Sequence, residues 1–179
     1  MSAADVIRKN LAFWHWYPRL ICEGLTDEQV HWQPADHPNH IAFTLWHAFS
    51  AEDRIVNGFL GQRPAVIASD EWTQRLGVPE GFGADGLDRE RIAALHLDLD
   101  TLLDYADAVR ESIQDYLDDL TDEEAAEQVD FPFFEHVYPG YSRMTRSDAV
   151  ILFSVGHLAT HLGEVQYIKG LMGLQGAAL

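Results

Sequence analysis

Apolar residues return at the spacing of an α-helix in four long segments, and no convincing strand pattern accompanies them. The first segment covers about residues 3–24 and holds Pro18, a residue expected to kink or break it. The second starts near Asn39, a good N-cap, and runs to about Gly61. The third begins after Asp88 and continues to about Leu120, with Ile92, Leu95, Leu99, Leu102 and Leu103 at helical spacing. The fourth starts near Ser147 and reaches about Leu171. Four helices of this length predict an all-α four-helix bundle. "LTDEQVHWQPADHPNH" reads as a connection. So do the Gly- and Pro-rich stretch 62–86, with one helical turn around Glu71–Leu76, and the stretch after Leu120, whose acidic residues form a solvated face and turn.

At 179 residues, 47% of them apolar, the chain suits a single domain over 1–179 with a packed core. Its 12 Lys and Arg against 29 Asp and Glu give a charge of −17, a field that repels nucleic acid and anionic membranes. No uncharged apolar run is long enough to span a membrane, and the first residues lack the apolar core of a signal peptide. A cytoplasmic protein is expected. Cys22, the one cysteine, cannot form an internal disulfide; it reads as a small buried side chain rather than a catalytic thiol.

The final segment, "HLATHLGEVQYIKGLMG", carries the chemistry. At about 100° per residue, His157, His161 and Glu164 share roughly 60° of one helix face. Val155, Leu158, Leu162, Val165 and Ile168 border that stripe and turn it toward the interior. Histidines four apart on a helix can hold one metal ion; two hydrogen-bonded core histidines are the plainer alternative. His47, in the equally apolar "TLWHAFSAEDR", tips the balance toward a metal, because burying histidine from two helices is hard to explain by packing. Three imidazoles suit Zn, Ni, Fe or Cu and leave a coordination position open. Four roles are open to Glu164: fourth ligand, acceptor from a histidine N–H, proton carrier, or surface carboxylate.

Competing sites find no support. The residues after His157 are Leu, Ala and Thr, so there is no HExxH. The only Glu-x-x-His spacing of a di-iron bundle, Glu28 to His31, lies in a connection. There is no phosphate loop, CxxC pair or nucleophile elbow. His15, His31, His37, His40, His96 and His136 read as core, capping or solvated residues. Gly156 and Gly163 share a face and are expected to let another backbone approach closely.

With "LTDEQVHWQP", the helix holding His47, and the H-x-x-x-H-x-G-[QE] pattern met by His157, His161, Gly163 and Glu164, the chain resembles the DinB-like metalloprotein superfamily over nearly its whole length. The resemblance implies a DinB-like bundle in up-down-down-up order. It implies a divalent metal on His47, His157 and His161, and frequently a homodimer. Several such proteins use a low-molecular-weight thiol (mycothiol, bacillithiol or glutathione) for S-transfer or isomerisation. The expected activity is therefore a metal-activated thiol or water attacking a small electrophile, with Glu164 as the catalytic carboxylate; Trp72 and Phe82 of the 62–86 loop are expected either to cover the substrate or to pack onto the bundle. A metal-binding module or sensor without catalysis is the alternative, and a plain helical dimer without metal a third.

Overall fold

Thr26, Ser69, Asp88, Asp98, Thr121 and Thr145 each place a side-chain oxygen on the backbone N–H three residues ahead, and each starts a helix. The computed structural model describes residues 3–35, 37–79, 82, 88–131 and 140–176, and most of these are helical. The helices are α1 (Ala3–Cys22), α2 (Asp27–Val30), α3 (Ile41–Glu52), α4 (Asp70–Leu76), α5 (Arg89–Ala93), α6 (Leu99–Asp119), α7 (Asp122–Ala126), α8 (Arg146–Ile151) and α9 (Leu158–Leu171). Two π-helical segments extend them: Asp53–Leu60 carries α3 onward, and Leu152–His157 joins α8 to α9. Four long helical stretches result, the first and third packed on each other and each also on a neighbour. α1 lies against α6 and the α8–α9 stretch, while α3 lies against α6 and α9.

α3 is buried almost all round: Ile41, Ala42, Phe43, Leu45, Trp46, Ala48 and Phe49 are all at most 2% exposed. A helix apolar on every face belongs in the middle of a fold. Full burial of each large side chain contributes about 1.5–3 kcal/mol. Ile7, Leu11 and Ile21 of α1 and Tyr105, Val109 and Ile113 of α6 complete one apolar cluster with it.

The start of the π segment holds a buried acid. Asp53, fully buried, accepts from the backbone N–H of Val66 at 2.9 Å and of Ile67 at 3.0 Å, from Asn57 Nδ2 at 2.8 Å and from Tyr105 Oη at 2.8 Å. Burial, then the charge of Asp53, raises the Tyr105 hydroxyl well above its ordinary range, so it stays a donor. A second buried pair joins α1 to α3: His15 Nε2 lies 2.8 Å from Glu52 Oε1.

Several expectations change. Pro18 does not end α1, which continues to Cys22 because Tyr17, Ile21 and Cys22 are held in the core. The cap of α3 is His40 rather than Asn39: its Nδ1 accepts from Phe43 N–H, while Nε2 donates to the Ile92 carbonyl at 3.0 Å. Burial lowers the His40 pKa to about 4, so the ring stays neutral and keeps both roles. The third helix is two helices, interrupted over 94–98 where Leu95 and Leu97 are buried on either side of exposed His96. That alternation is extended structure, and Asp98 restarts the helix by accepting from Thr101 N–H at 2.8 Å. The acidic run after Leu120 contains α7. Two short strands also appear, β1 (Gln128–Asp130) and β2 (Arg143–Thr145), antiparallel with Val129 opposite Met144. Three-residue strands are too short to show alternation in a sequence. The last helix is capped by Thr145, ahead of Ser147. Gly156 and Gly163 are exposed, and among the described residues a Cβ on Gly156 would meet only Leu152 and the Ile151 carbonyl of its own helical stretch, and one on Gly163 nothing within 4 Å, so no other element closes on them.

Asp98→Ala is expected to cost about 1 kcal/mol in urea denaturation, the usual worth of an N-cap. Hydrogen bonds from Thr101 depress the Asp98 pKa. The cap's contribution is therefore present above the ordinary Asp value of about 4 and is lost as pH falls through the lower folded value. Wild type and variant should converge in stability at acid pH; a difference that persists there refutes the assignment.

Candidate metal centre

α3 and α9 lie side by side, and their contact brings His47 beside His157 and His161. The ring centroids are 5.2 Å apart for His47 and His157, 4.5 Å for His47 and His161, and 4.4 Å for His157 and His161. One ring nitrogen from each lies within 4.8 Å of the other two. All three are half-buried, and Leu158, Leu162 and Val165 of the same final helix are buried in the core.

The donor set fits a divalent ion. His157 Nε2 and His161 Nε2 face each other at 3.1 Å. Two nitrogens that far apart and about 2.0–2.1 Å from a common ion would subtend roughly 95–100° at it, a normal ligand angle. His161 Nδ1 lies 2.7 Å from Glu164 Oε2. The carboxylate only accepts, so Nδ1 carries the proton and Nε2 presents a lone pair to the other rings. Glu164 thus stands behind a histidine, the place of an acceptor that fixes ring and tautomer. That hydrogen bond, with the neighbouring histidines, holds the Glu164 carboxyl below its ordinary range despite burial. Among the described residues His157 Nδ1 is buried and has no hydrogen-bond partner. Burial, then His161 and His47, push the His157 pKa down to about 3, so the ring is neutral and ready to ligate.

A second cluster, Asp27, His31 and His96, brings ligand-type atoms equally close, a grouping the sequence did not suggest. The His31 and His96 rings are stacked at 3.8 Å with planes 20° apart. Imidazole lone pairs lie in the ring plane, so stacked rings cannot aim at one ion. His31 is also committed within the chain: Nδ1 donates to the Asp27 carbonyl at 2.9 Å, and Nε2 accepts from Leu97 N–H at 3.2 Å. It braces the 94–98 break. His37 Nδ1 accepts from Asn39 N–H, and His136 lies outside the described residues.

Cys22 is buried, and burial raises its pKa to about 12. Trp72 packs on Tyr105, ring centroids 5.6 Å apart, with Arg75 over its face, and so belongs to the bundle wall. Phe82 is buried against Phe43, whose ring is 6.0 Å from that of His47; residues 80, 81 and 83–87 lie outside the described set. The space next to Glu164 is bounded in part by the 32–39 connection. It is a cavity of about 730 Å³ between Trp32 and Pro34 on one side and Tyr167 and Ile168 on the other.

Comparison with known proteins yields a match of residues 19–165 to the model of the DinB superfamily. No curated protein matches the sequence. A solved structure, described as the conserved protein of locus from Enterococcus faecalis, superposes with a TM-score of 0.79 over 97% of this chain and 99% of that one, at 17% identity. That likeness is one of fold. Among the described residues no helix is long and apolar enough to cross a membrane.

Proposed function

The chain belongs to the DinB superfamily, and from that premise we propose that it is a divalent-metal-dependent enzyme acting on a small electrophile, with His47, His157 and His161 as ligands. The observation that carries this reading is the pair of Nε2 atoms facing each other at 3.1 Å with a third imidazole beside them. A bound ion would supply Lewis acidity, lowering the pKa of a coordinated low-molecular-weight thiol or water so that it is nucleophilic near neutral pH. The chemistry proposed is S-transfer, isomerisation or hydrolysis.

The chain's own groups then have separate tasks. Glu164 takes the Nδ1 proton of His161 in a hydrogen bond, orients the ring and raises its basicity. With nearly half of its side chain exposed, it also faces the cavity, where it can accept a proton from an incoming thiol or water. Neutral His157 needs no proton removed before it ligates. Cys22 has no part: at pH 8 the native protein should react with iodoacetamide at least about a thousandfold more slowly than free cysteine, as its thiolate fraction requires. Rapid alkylation of the folded protein would return Cys22 to the list of nucleophiles.

The test is metal analysis of the purified protein together with turnover of a thiol and a chromogenic aromatic electrophile. About one ion per chain and metal-dependent turnover are expected. Glu164→Gln should weaken metal affinity about 10–100-fold, the usual loss when such an acceptor is removed. A bound ion without turnover for any thiol would favour a binding module or sensor whose metal stiffens the bundle, and a protein that takes up no ion would end the metal reading.

A further inference from the structure

We propose that the cavity between the 60–63 segment, the end of α6 and the start of α8 binds a small zwitterion of the α-amino-acid kind, its carboxylate on Tyr116, Arg63 and Arg146 and its ammonium on Asp119 and Glu124. None of the three imidazoles lines this cavity, and the inference does not depend on a metal.

Three observations carry it. The first is an unmet hydroxyl. Tyr116 is 9% exposed and lines the cavity, and among the described residues its Oη is buried without a hydrogen-bond partner. Burial raises its pKa, against a smaller opposite pull from neighbouring Arg146, so the proton stays on the oxygen. An arginine cannot accept that proton. Nε of Arg146, which lines the same cavity, is also buried and unpartnered among the described residues. Two neighbouring donors thus lack an acceptor, and a carboxylate supplies one to both.

The second is that both guanidiniums are held in place. Gln62, at φ 49°, turns the chain through the left-handed region, and Arg63 comes back over the Tyr116 ring, 5.6 Å from its centroid. Arg63 Nε and Nη2 donate to the Asn57 side-chain oxygen at 3.0 and 2.7 Å, and Arg146 Nη1 donates to the Leu60 carbonyl at 2.7 Å. Little freedom remains to be lost when an anion arrives.

The third is the balance of charge. Exposed Asp119 and Glu124 line the cavity with the two arginines. Hydrogen bonds from Thr121, and less strongly the charge of Arg146, hold the Glu124 carboxyl below its ordinary range. A simple anion would meet two carboxylates, and a simple cation two guanidiniums; a zwitterion answers both pairs. Having no net charge, it is also not turned away by the −17 of the whole chain. The cavity measures about 380 Å³, and Leu60 and Leu120 form its apolar part, which suits an aliphatic side chain.

The test titrates L-leucine, 4-methylpentanoate, which lacks the ammonium, and 3-methylbutylamine, which lacks the carboxylate, into the purified protein by calorimetry at about pH 7.5, where leucine is a zwitterion. Leucine should bind at least about tenfold more tightly than either analogue. Tyr116→Phe, which removes only the hydroxyl, should weaken leucine at least about fivefold. Asp119→Asn, at an exposed position, should weaken it about threefold while 4-methylpentanoate binds no worse. The leucine Kd should be the same with EDTA present. Leucine that fails to bind, that binds no better than its analogues, or that ignores both substitutions overturns the proposal. Binding that EDTA abolishes also overturns it, by assigning the amino acid to a metal ion.

Discussion

His157→Ala is expected to empty the metal centre, taking bound zinc from about one ion per chain to below about a tenth, because two ligands cannot hold what three hold. The fold should feel the loss. A ligand present at about a thousand times its Kd stabilises the native state by about 4 kcal/mol. For a chain of this size each kcal/mol moves Tm by about 2–4 °C, so a fall of roughly 8–16 °C follows. The alanine also removes a half-buried ring, so the decisive comparison uses a chelator. Stripping the wild type should lower Tm by a similar amount, and stripping His157→Ala should change nothing further. A variant that retains stoichiometric metal, or a wild type indifferent to chelation, removes the centre from consideration. His47→Ala should behave alike, which would show that the ligand set spans two helices.

Asp53→Ala should be the most damaging substitution away from the imidazoles. Four donors converge on this carboxylate: two backbone N–H groups of the turn at 66–67, the Asn57 amide and the Tyr105 hydroxyl. Removing the acceptor strands them in the core, at about 3–5 kcal/mol in total. With a urea m-value of about 2 kcal/mol/M, the unfolding midpoint should move down by about 1.5–2.5 M. Asp53→Asn keeps the shape but turns a donor toward donors, and should lose about half as much. A loss under about 1 kcal/mol for the alanine would mean that water replaces the carboxylate and that the acid does not organise this part of the core.

The triad was legible because helical arithmetic needs only spacing. Histidines four apart in an apolar helix, and a third in another apolar helix, are visible before any coordinates. Glu164 was legible as a neighbour of the histidines but not as the acceptor of the His161 Nδ1 proton, which follows from a distance. The break at 94–98 was visible in "LHLDLD", whose alternation was overridden by the leucines flanking it at helical spacing. His40 as a cap was hidden, because histidine caps through a ring nitrogen and only burial beside Ile92 fixes that ring. The cavity beside Glu164 was hidden for a similar reason: length and glycine content drew attention to 62–86, part of which lies outside the described residues, whereas the shorter 32–39 connection lines the space by Glu164. Which connection crosses a site depends on how helices pair, and that is absent from any local pattern.

The π-helical turns at Asp53–Leu60 and Leu152–His157 give chain length a meaning beyond composition. A residue added or removed in an α-helix swings everything downstream by about 100°. Ala149 and Val150 are locked in the core ahead of the wider turn, and Leu158, Leu162 and Val165 are locked behind it. The turn takes up the one-residue mismatch between those two faces. Adding a further residue within 152–157 would therefore force a choice between pulling the aliphatic side chains into solvent and pointing His157 and His161 away from His47. Phe153 and Ser154 are buried along that stretch and His157 closes it, so both its side chains and its count of residues bear on where the imidazoles look.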